Sequence, residues 1–322
     1  MAHKLRFLGS LLLLLAFSGN VLATQPKQIT IGYQKSNIFM LLKSRGNLDD
    51  VFRQEGIKIR WVEFPAGPQM LEGLNIGSID LASTGDVPPV FAQAAKADLV
   101  YLAHSPAHPK TEAIVVAKDS AIKSIQDLKG KRVALNKGSD VHYLLVAALE
   151  KAGLSYKDIK PVYLPPADAR AAFQRGVIDA WAIWDPFLSE VETNTGARQI
   201  SNGEGLVPHY TFYLASRKFV DNYPQAAEKV VQELVTLSDW ANQHPDETAT
   251  ILADATKLDK TIWQRVLTRT IYGAEHMTPA VFNQQQILAD TFTRIKLLPV
   301  KIDVRQASWS LDNLNNQSEQ SK

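Results

Sequence analysis

The chain has 322 residues, of which 45% are apolar, and this is enough for two domains with cores of their own. Its 35 Lys and Arg residues nearly balance its 33 Asp and Glu residues and form no extended runs, which argues against nucleic acid or an anionic membrane as a partner. Cysteine is absent, so disulfides, thiolate metal sites, cysteine nucleophiles and a lipid-modified N-terminal cysteine are excluded.

Residues 1–23 have the pattern of a cleavable secretory signal. Lys4 and Arg6 form a basic start, residues 7–17 are apolar, and residues 21–23 end in a small residue suited to cleavage. The apolar run is too short to span a membrane. We therefore expect export to a bacterial periplasm. The remaining chain is then formally neutral, because both surplus basic residues lie in the signal.

Strand-like and helix-like segments alternate from residue 28 to residue 215. The predicted strands are rich in β-branched, aromatic or other apolar residues, and they are residues 29–33, 58–64, 80–83, 99–103, 112–117, 132–135, 161–164, 180–184 and 210–216. The predicted helices between them follow polar or Pro breaks, and they are residues 38–46, 68–76, 88–95, 139–152, 168–174 and 186–193. Such alternation is typical of parallel sheets covered by helices.

The last third of the chain has a helical pattern. Apolar residues at three-and-four spacing predict helices over residues 224–243, 245–255, 260–272 and 279–295. We expect an α/β fold of two lobes, each a mostly parallel sheet covered by helices, with these extra C-terminal helices on lobe 1. The predicted boundaries are 24–113 plus 212–322 for lobe 1 and 114–211 for lobe 2, joined by short hinge strands.

Two segments about a hundred residues apart are variants of one another. Residues 74–86 (LNIGSIDLASTGD) align without a gap on residues 173–185 (FQRGVIDAWAIWD), and each has a helix end, a Gly turn, Ile-Asp, an apolar run and a final Asp. A second pair, residues 34–37 and 136–139, precedes a helical pattern in each half. The same strand-to-helix corner built twice in each half predicts two similar lobes that face a shared cleft.

Four corners, at residues 33–37, 83–88, 136–140 and 184–186, end a strand and start a helix. In an open parallel sheet, ligands bind at such corners, where free N–H groups and the helix dipole favour an anion. The corners offer donors without Arg, and the candidate ligand contacts at them are Gln34, Lys35, Ser83, Thr84, Gly85, Asp86, Gly138, Ser139, Trp184 and Asp185. Neutral donors suit a small tetrahedral oxyanion.

Each corner residue has a second interpretation. Ser, Asn and Asp before a helix are usually N-caps, and this is the favoured role for Asp86 and Asp185, whose carboxylates would repel a bound anion. Lys35 is either solvated surface or a steering charge, and the same holds for Lys137. Because side chains alternate along a strand, only one of Trp181 and Trp184 faces the cleft, and Trp184 is the better wall for a carbon tail.

Signals for catalysis, a cofactor or a metal are missing from the sequence. No Gly-x-Ser-x-Gly elbow and no Gly-x-x-x-x-Gly-Lys loop occur. His104 and His108 have helix-like spacing, but Pro106 lies between them, which favours a loop over a metal site. We therefore expect a binding protein without cofactor, and not an enzyme.

At these corners the chain resembles the periplasmic aliphatic sulfonate-binding proteins, the solute receptors of ABC importers. The resemblance covers essentially all of the chain after residue 23. The segments that carry it are residues 31–35 (IGYQK), 61–72 (WVEFPAGPQMLE), 83–86 (STGD), 167–174 (ADARAAFQ) and 179–186 (DAWAIWDP). The STGD segment alone is typical of a wider group that includes taurine receptors.

The resemblance implies a type II periplasmic-binding fold, a monomer whose lobes close on an alkanesulfonate and present it to a membrane permease. The resemblance also implies that seven residues at the corners contact the ligand, namely Gln34, Ser83, Thr84, Gly85, Gly138, Ser139 and Trp184. The chain departs from the family in Ser36, where Gly is more usual, and in Asp140, where the family commonly has Ser.

Two alternatives follow from these departures and from the fold. Asp140 either caps its helix or favours a ligand that also carries an ammonium group, and a taurine or sulfate-ester receptor is favoured if Asp86 or Asp140 faces an amine. Some pyrimidine synthases of thiamine biosynthesis share this fold, but they have a Cys-rich segment that this chain lacks.

Overall fold

The structure is a computed structural model that describes residues 25–310. The predicted signal at residues 1–23 lies outside this range. Within the described range, every helix is either too short or too polar to cross a membrane.

Two sheets and their covering helices make up the described chain. The strands are β1 Gln28–Tyr33, β2 Lys58–Glu63, β3 Leu81–Thr84, β4 Leu99–His104, β5 Glu112–Val116, β6 Arg132–Leu135, β7 Lys160–Tyr163, β8 Ala180–Trp184, β9 Arg198–Asn202, β10 Phe212–Ser216 and β11 Glu275–His276. The α-helices are α1 Ile38–Arg45, α2 Asn47–Gln54, α3 Gly67–Asn75, α4 Val87–Ala94, α5 Asp140–Lys151, α6 Pro166–Gln174, α7 Phe187–Thr195, α8 Arg217–Asn222, α9 Pro224–Gln243, α10 Pro245–Thr256, α11 Lys260–Leu267 and α12 Pro279–Arg294.

The first sheet has the order β11-β4-β10-β3-β1-β2 and forms lobe 1, and the second has the order β7-β6-β8-β5-β9 and forms lobe 2. In lobe 1, β10 and β11 run against the four parallel strands. In lobe 2, β5 alone runs against its neighbours. The chain crosses between the sheets after β4 and returns before β10, so two short segments connect the lobes.

Each sheet buries both faces against helices. In lobe 1, one face packs on a cluster from α1, α2 and α9–α11, and the other on a cluster from α3, α4 and α12. In lobe 2, a single cluster joins the strands to α5, α6 and α7. Because helices cover both faces of the sheets, β4 and β8 are buried along their whole length, and their sequences are almost continuously apolar. The predicted α/β two-lobed fold, with its C-terminal helices on lobe 1, is confirmed.

The internal repeat has the same structural role in each lobe. Asp80 Oδ2 accepts a hydrogen bond from the backbone N–H of Thr30 on β1 at 2.8 Å, and Asp179 Oδ2 accepts one from the backbone N–H of Arg132 on β6 at 2.7 Å. The Gly turns that precede these Asp residues, Gly77 and Gly176, have φ of 73° and 68°, a region that favours glycine. The repeat therefore ties each inner strand to its neighbour and aims both strand ends at the cleft.

Some element predictions were incomplete. The sequence did not predict α2, α8, β9 or β11, and β9 is a polar edge strand whose residues are all partly exposed. The predicted helix over residues 260–272 was too long, since α11 ends at Leu267. Beyond it, the backbone N–H and C=O of Tyr272 bond to the side-chain amide of Asn242 on α9, which holds the chain out of a helix.

Candidate ligand-binding site

All four predicted corners meet at one cleft between the lobes, which holds about 790 Å³ of space, part of it open to solvent. The amino ends of α1 and α4 approach it from lobe 1, and those of α5 and α7 approach it from lobe 2. The cleft is lined by corner residues from each of these ends, namely Gln34, Ser36, Asn37, Ile38, Thr84, Gly85, Pro88, Ser139, Asp140, Trp184 and Asp185. Four helix amino ends around one space favour a bound anion.

The first corner is held by amide side chains. Asn37 caps α1 by accepting a hydrogen bond from the Phe39 N–H at 3.1 Å, and its Nδ2 donates to the backbone carbonyl of Ser83 at 2.9 Å. Gln34 donates to the same carbonyl at 3.4 Å. Lys35 lies outside the cleft, where its ammonium pairs with Glu63 at 3.2 Å with both side chains about half exposed.

The second corner presents a hydroxyl and a glycine. Thr84 lines the cleft, and its hydroxyl donates to the Gly85 carbonyl at 3.0 Å. The Ser83 hydroxyl is fully buried behind the cleft and has no hydrogen-bond partner among the described residues. Asp86 occupies the N-cap position of α4, but its carboxylate makes no cap hydrogen bond.

The third corner turns at Gly138, whose φ of 76° requires the left-handed conformation. The Gly138 N–H donates to Nδ1 of the buried His142 at 3.2 Å, and burial lowers the pKa of His142 to about 3, so this imidazole is neutral. Ser139 lies at the N-cap position of α5, and its hydroxyl donates to the Asn136 carbonyl at 2.7 Å. Gly138 itself lies behind the cleft wall, while Ser139 lines the cleft.

Asp140 reaches from this corner to the opposite lobe. Its Oδ1 accepts a hydrogen bond from the backbone N–H of Val87, the first residue of α4, at 3.2 Å. A methyl group at Gly85 would overlap the Asp140 carboxylate, so glycine is required for this approach. Sequence reasoning left open whether Asp140 caps its own helix, and the structure shows that it contacts the helix of the other lobe.

The fourth corner combines an aromatic wall with an ion-pair network. Trp184 lines the cleft, while Trp181 is 1% exposed and packs in the lobe 2 core, as the strand alternation predicted. Asp185 accepts hydrogen bonds from the N–H and hydroxyl of Ser189 at 2.9 and 2.6 Å. Its other oxygen is 3.4 Å from Arg269 of lobe 1, whose guanidinium also pairs with Glu192 at 2.5 Å.

Histidines at the two crossings complete the cleft, and sequence reasoning missed them. His209 Nδ1 lies 3.0 Å from the Thr111 hydroxyl and 3.9 Å from Glu112, and its Nε2 lies 3.8 Å from Asp140. The His108 ring is 4.6 Å from the His209 ring, between centroids. The one available signal was that both crossings are short polar segments with a histidine, next to predicted strand ends.

Burial and neighbouring charge set the protonation of this cluster. Burial alone would lower the pKa of His209, but the Glu112 and Asp140 carboxylates outweigh it and raise this pKa to about 10. Burial, followed by the His209 charge, lowers the pKa of His108 to about 3. Burial raises the pKa of Glu112 to about 7, against the effect of His209. Burial, followed by the Asp140 charge, holds the pKa of Asp86 well above its usual range.

At neutral pH the cleft therefore carries one imidazolium, on His209, and a neutral imidazole, on His108. The expectation of a site with neutral donors alone was incomplete, although the residues that line the cleft include neither Lys nor Arg. Within residues 25–310, no three His, Asp or Glu side chains are grouped so as to hold a metal ion. Hydrogen-bond donors, helix ends and one cation can bind an oxyanion.

Comparisons with known proteins agree with this geometry. Residues 49–248 match the family described as NMT1/THI5 like. A relative from Escherichia coli (strain K12), named as an aliphatic sulfonates-binding protein, is 44% identical over 89% of this chain and 90% of its own length. One of the same name from Bacillus subtilis (strain 168) is 34% identical over 87% of this chain and 85% of its own length.

A solved structure gives the same result for the fold. The alkanesulfonate-binding protein SsuA from Xanthomonas axonopodis pv. citri, bound to MOPS, superposes with a TM-score of 0.84 at 42% identity, over 89% of this chain and 99% of that one. This likeness extends across both lobes. The chain belongs to the NMT1/THI5-like family and, within it, to the aliphatic sulfonate-binding proteins.

Proposed function

We propose that the protein is a periplasmic receptor that binds aliphatic sulfonates between its lobes and delivers them to the membrane permease of an ABC importer. It acts as a monomer and binds its ligand without catalysis. The observation that carries the proposal is the meeting of four helix amino ends at one cleft, beside an imidazolium and an aromatic wall. The relatives' names support sulfonate as the ligand class.

The sulfonate head group is proposed to bind between α4 and α5. The contacts we assign to it are the Gly85 backbone N–H, the Gln34 amide and the Thr84 and Ser139 hydroxyls, and Trp184 is assigned to the carbon tail. To donate to the sulfonate, the two hydroxyls rotate away from the Gly85 and Asn136 carbonyls that they contact in this structure. Hydrogen bonds to a charged group contribute about 1.5–3 kcal/mol each. Micromolar affinity requires about 8 kcal/mol net of association costs, which these four donors, the helix amino ends and a short buried tail can supply together.

The geometry favours a plain sulfonate over taurine. A taurine receptor needs a carboxylate in the cleft that is free to face an amine. Asp140 lies 3.8 Å from the His209 imidazolium, a cation that would repel the ammonium group of taurine, and Asp185 is engaged with Ser189 and Arg269. Asp86 is 3% exposed and does not line the cleft.

Calorimetric titration of the protein with ethanesulfonate, taurine, sulfate and nitrate tests the proposal. We expect the tightest binding for ethanesulfonate. Thr84→Val keeps the shape of the side chain but removes the hydroxyl, and should weaken ethanesulfonate binding by about 10- to 100-fold, the equivalent of one hydrogen bond to a charge.

Lys35→Ala is the matched control, since Lys35 is a predicted contact that lies outside the cleft. Its Kd should stay within twofold of the unaltered protein. If ethanesulfonate does not bind, or if Lys35→Ala weakens binding as much as Thr84→Val, the proposed site is wrong.

A further inference from the structure

The Asp140 carboxylate lies where an anion is expected to bind. Asp140 is the first residue of α5, and it accepts the N–H of Val87, the first residue of α4, at 3.2 Å. Its side chain is 13% exposed. Helices from opposite lobes therefore point their amino ends at one carboxylate, and both dipoles favour a negative charge at that point.

The amino end of α4 is built to take an anion from outside its own segment. Pro88 and Pro89 have no N–H, so the donors at this end are those of Gly85, Asp86 and Val87. The side chain of its N-cap residue, Asp86, makes no cap hydrogen bond. The capping role is taken from across the cleft by Asp140, and the missing side chain at Gly85 makes room for it.

A cation holds the carboxylate at this position. Asp140 Oδ2 is 3.8 Å from Nε2 of His209, and the other ring nitrogen of His209 is 3.0 Å from the Thr111 hydroxyl. His209 is fixed in turn by its backbone, whose φ of 50° is uncommon for a residue other than glycine. The Asp140 carboxylate thus has one partner in each direction, a backbone N–H of lobe 1 and an imidazolium at the crossing.

We propose that Asp140 is an internal occupant of the sulfonate position and thereby sets the affinity of the site. An incoming sulfonate binds by displacing this carboxylate from the Val87 N–H, because two anions about 4 Å apart repel each other. Every sulfonate then competes with Asp140. The inference rests on the proposed function, which supplies the ligand class.

The first test is the affinity for ethanesulfonate of two variants, measured by calorimetry. Asp140→Ser removes the competing charge, and we expect at least a tenfold lower Kd, equivalent to about 1.4 kcal/mol. Asp140→Asn keeps an acceptor oxygen without the charge, and its Kd should fall by less. Equal or weaker binding by Asp140→Ser, in protein whose circular dichroism and melting are unaltered, overturns the proposal.

The second test probes the contact between Asp140 and Val87 directly and does not require an affinity measurement. Without ligand, the chemical shift of the Val87 amide proton should differ between Asp140→Ser and the unaltered protein. Adding ethanesulfonate to the unaltered protein should also change this chemical shift. A Val87 amide that does not respond to Asp140→Ser overturns the proposal.

The two failures are distinguishable. If ethanesulfonate binds the unaltered protein but Asp140→Ser changes neither affinity nor the Val87 amide, the inference fails and the receptor function stands. If no variant binds ethanesulfonate while the Val87 amide responds to Asp140→Ser, the proposed function fails and the internal contact stands.

Discussion

His209 lies at the return crossing between Glu112 and Asp140, and its charge bears on the stability of the whole cleft. Its pKa is raised to about 10 from an ordinary value of 6.5. A raised pKa means that the folded protein binds the proton more tightly than the unfolded chain. The resulting stability is fully present below pH 6.5 and is lost as the pH rises through 10.

Urea denaturation at several pH values tests this predicted loss of stability with rising pH. His209→Gln should lower the free energy of unfolding by about 3–5 kcal/mol at pH 7.5, where Glu112 is largely ionised, since it leaves the Glu112 and Asp140 carboxylates without their cation. The difference between the variant and the unaltered protein should shrink as the pH rises towards 10, where His209 itself loses its proton. A difference that stays constant over this range would show that His209 is not charged.

At this scale the sequence was informative where local geometry decides. Alternation along β8 places Trp184 on the cleft and Trp181 in the core, because neighbouring side chains in a strand point to opposite faces. The histidines were missed because their protonation depends on Glu112 and Asp140, which lie close to His209 only in the folded chain. No spacing rule for a single segment predicts such a cluster.

Helices α7 and α11 join the lobes on the side of the fourth corner. Arg269 follows α11 and pairs with Asp185 and Glu192, and in all three residues the side chain is at most 12% exposed. Arg265, on α11, pairs with Glu192 at 3.1 Å but is 45% exposed. Both pairs form across the lobes, so they favour the closed arrangement.

The two arginines provide a matched comparison. Arg269→Gln leaves the buried Asp185 carboxylate without its cation when the lobes close, and leaves Glu192 only the exposed Arg265, so we expect about tenfold weaker ethanesulfonate binding by calorimetry. Arg265→Gln should change the Kd by less than threefold, because an exposed pair contributes little. Equal effects of the two substitutions would mean that burial at this contact does not govern closure.

Among the elements, those with strong periodicity were predicted to within a few residues. The bounds of β6, β8 and α9 match the prediction, since an apolar run or a 20-residue amphipathic pattern leaves little choice. Helix α2 was missed because it follows Gly46, which ends α1 in the left-handed conformation, and has only two buried residues. Its eight residues span only about two helical turns, too few for periodicity alone to distinguish a helix from a loop.

For the whole molecule, the central claim is that opposing lobes bind one oxyanion between helix amino ends. The repeat of residues 74–86 and 173–185 predicted paired corners, but their convergence on one cleft depends on how the two crossings set the lobes against each other. The interlobe contacts at Asp140 and Arg269 hold this arrangement in the structure.

A crystal structure of the protein with 2-bromoethanesulfonate is the most direct test, since anomalous scattering locates the bromine independently. We expect the sulfonate between Thr84 and Ser139, the bromine beside Trp184, and the Asp140 carboxylate moved off the Val87 N–H. A sulfonate that contacts only one lobe, or that lies outside this cleft, would contradict the account.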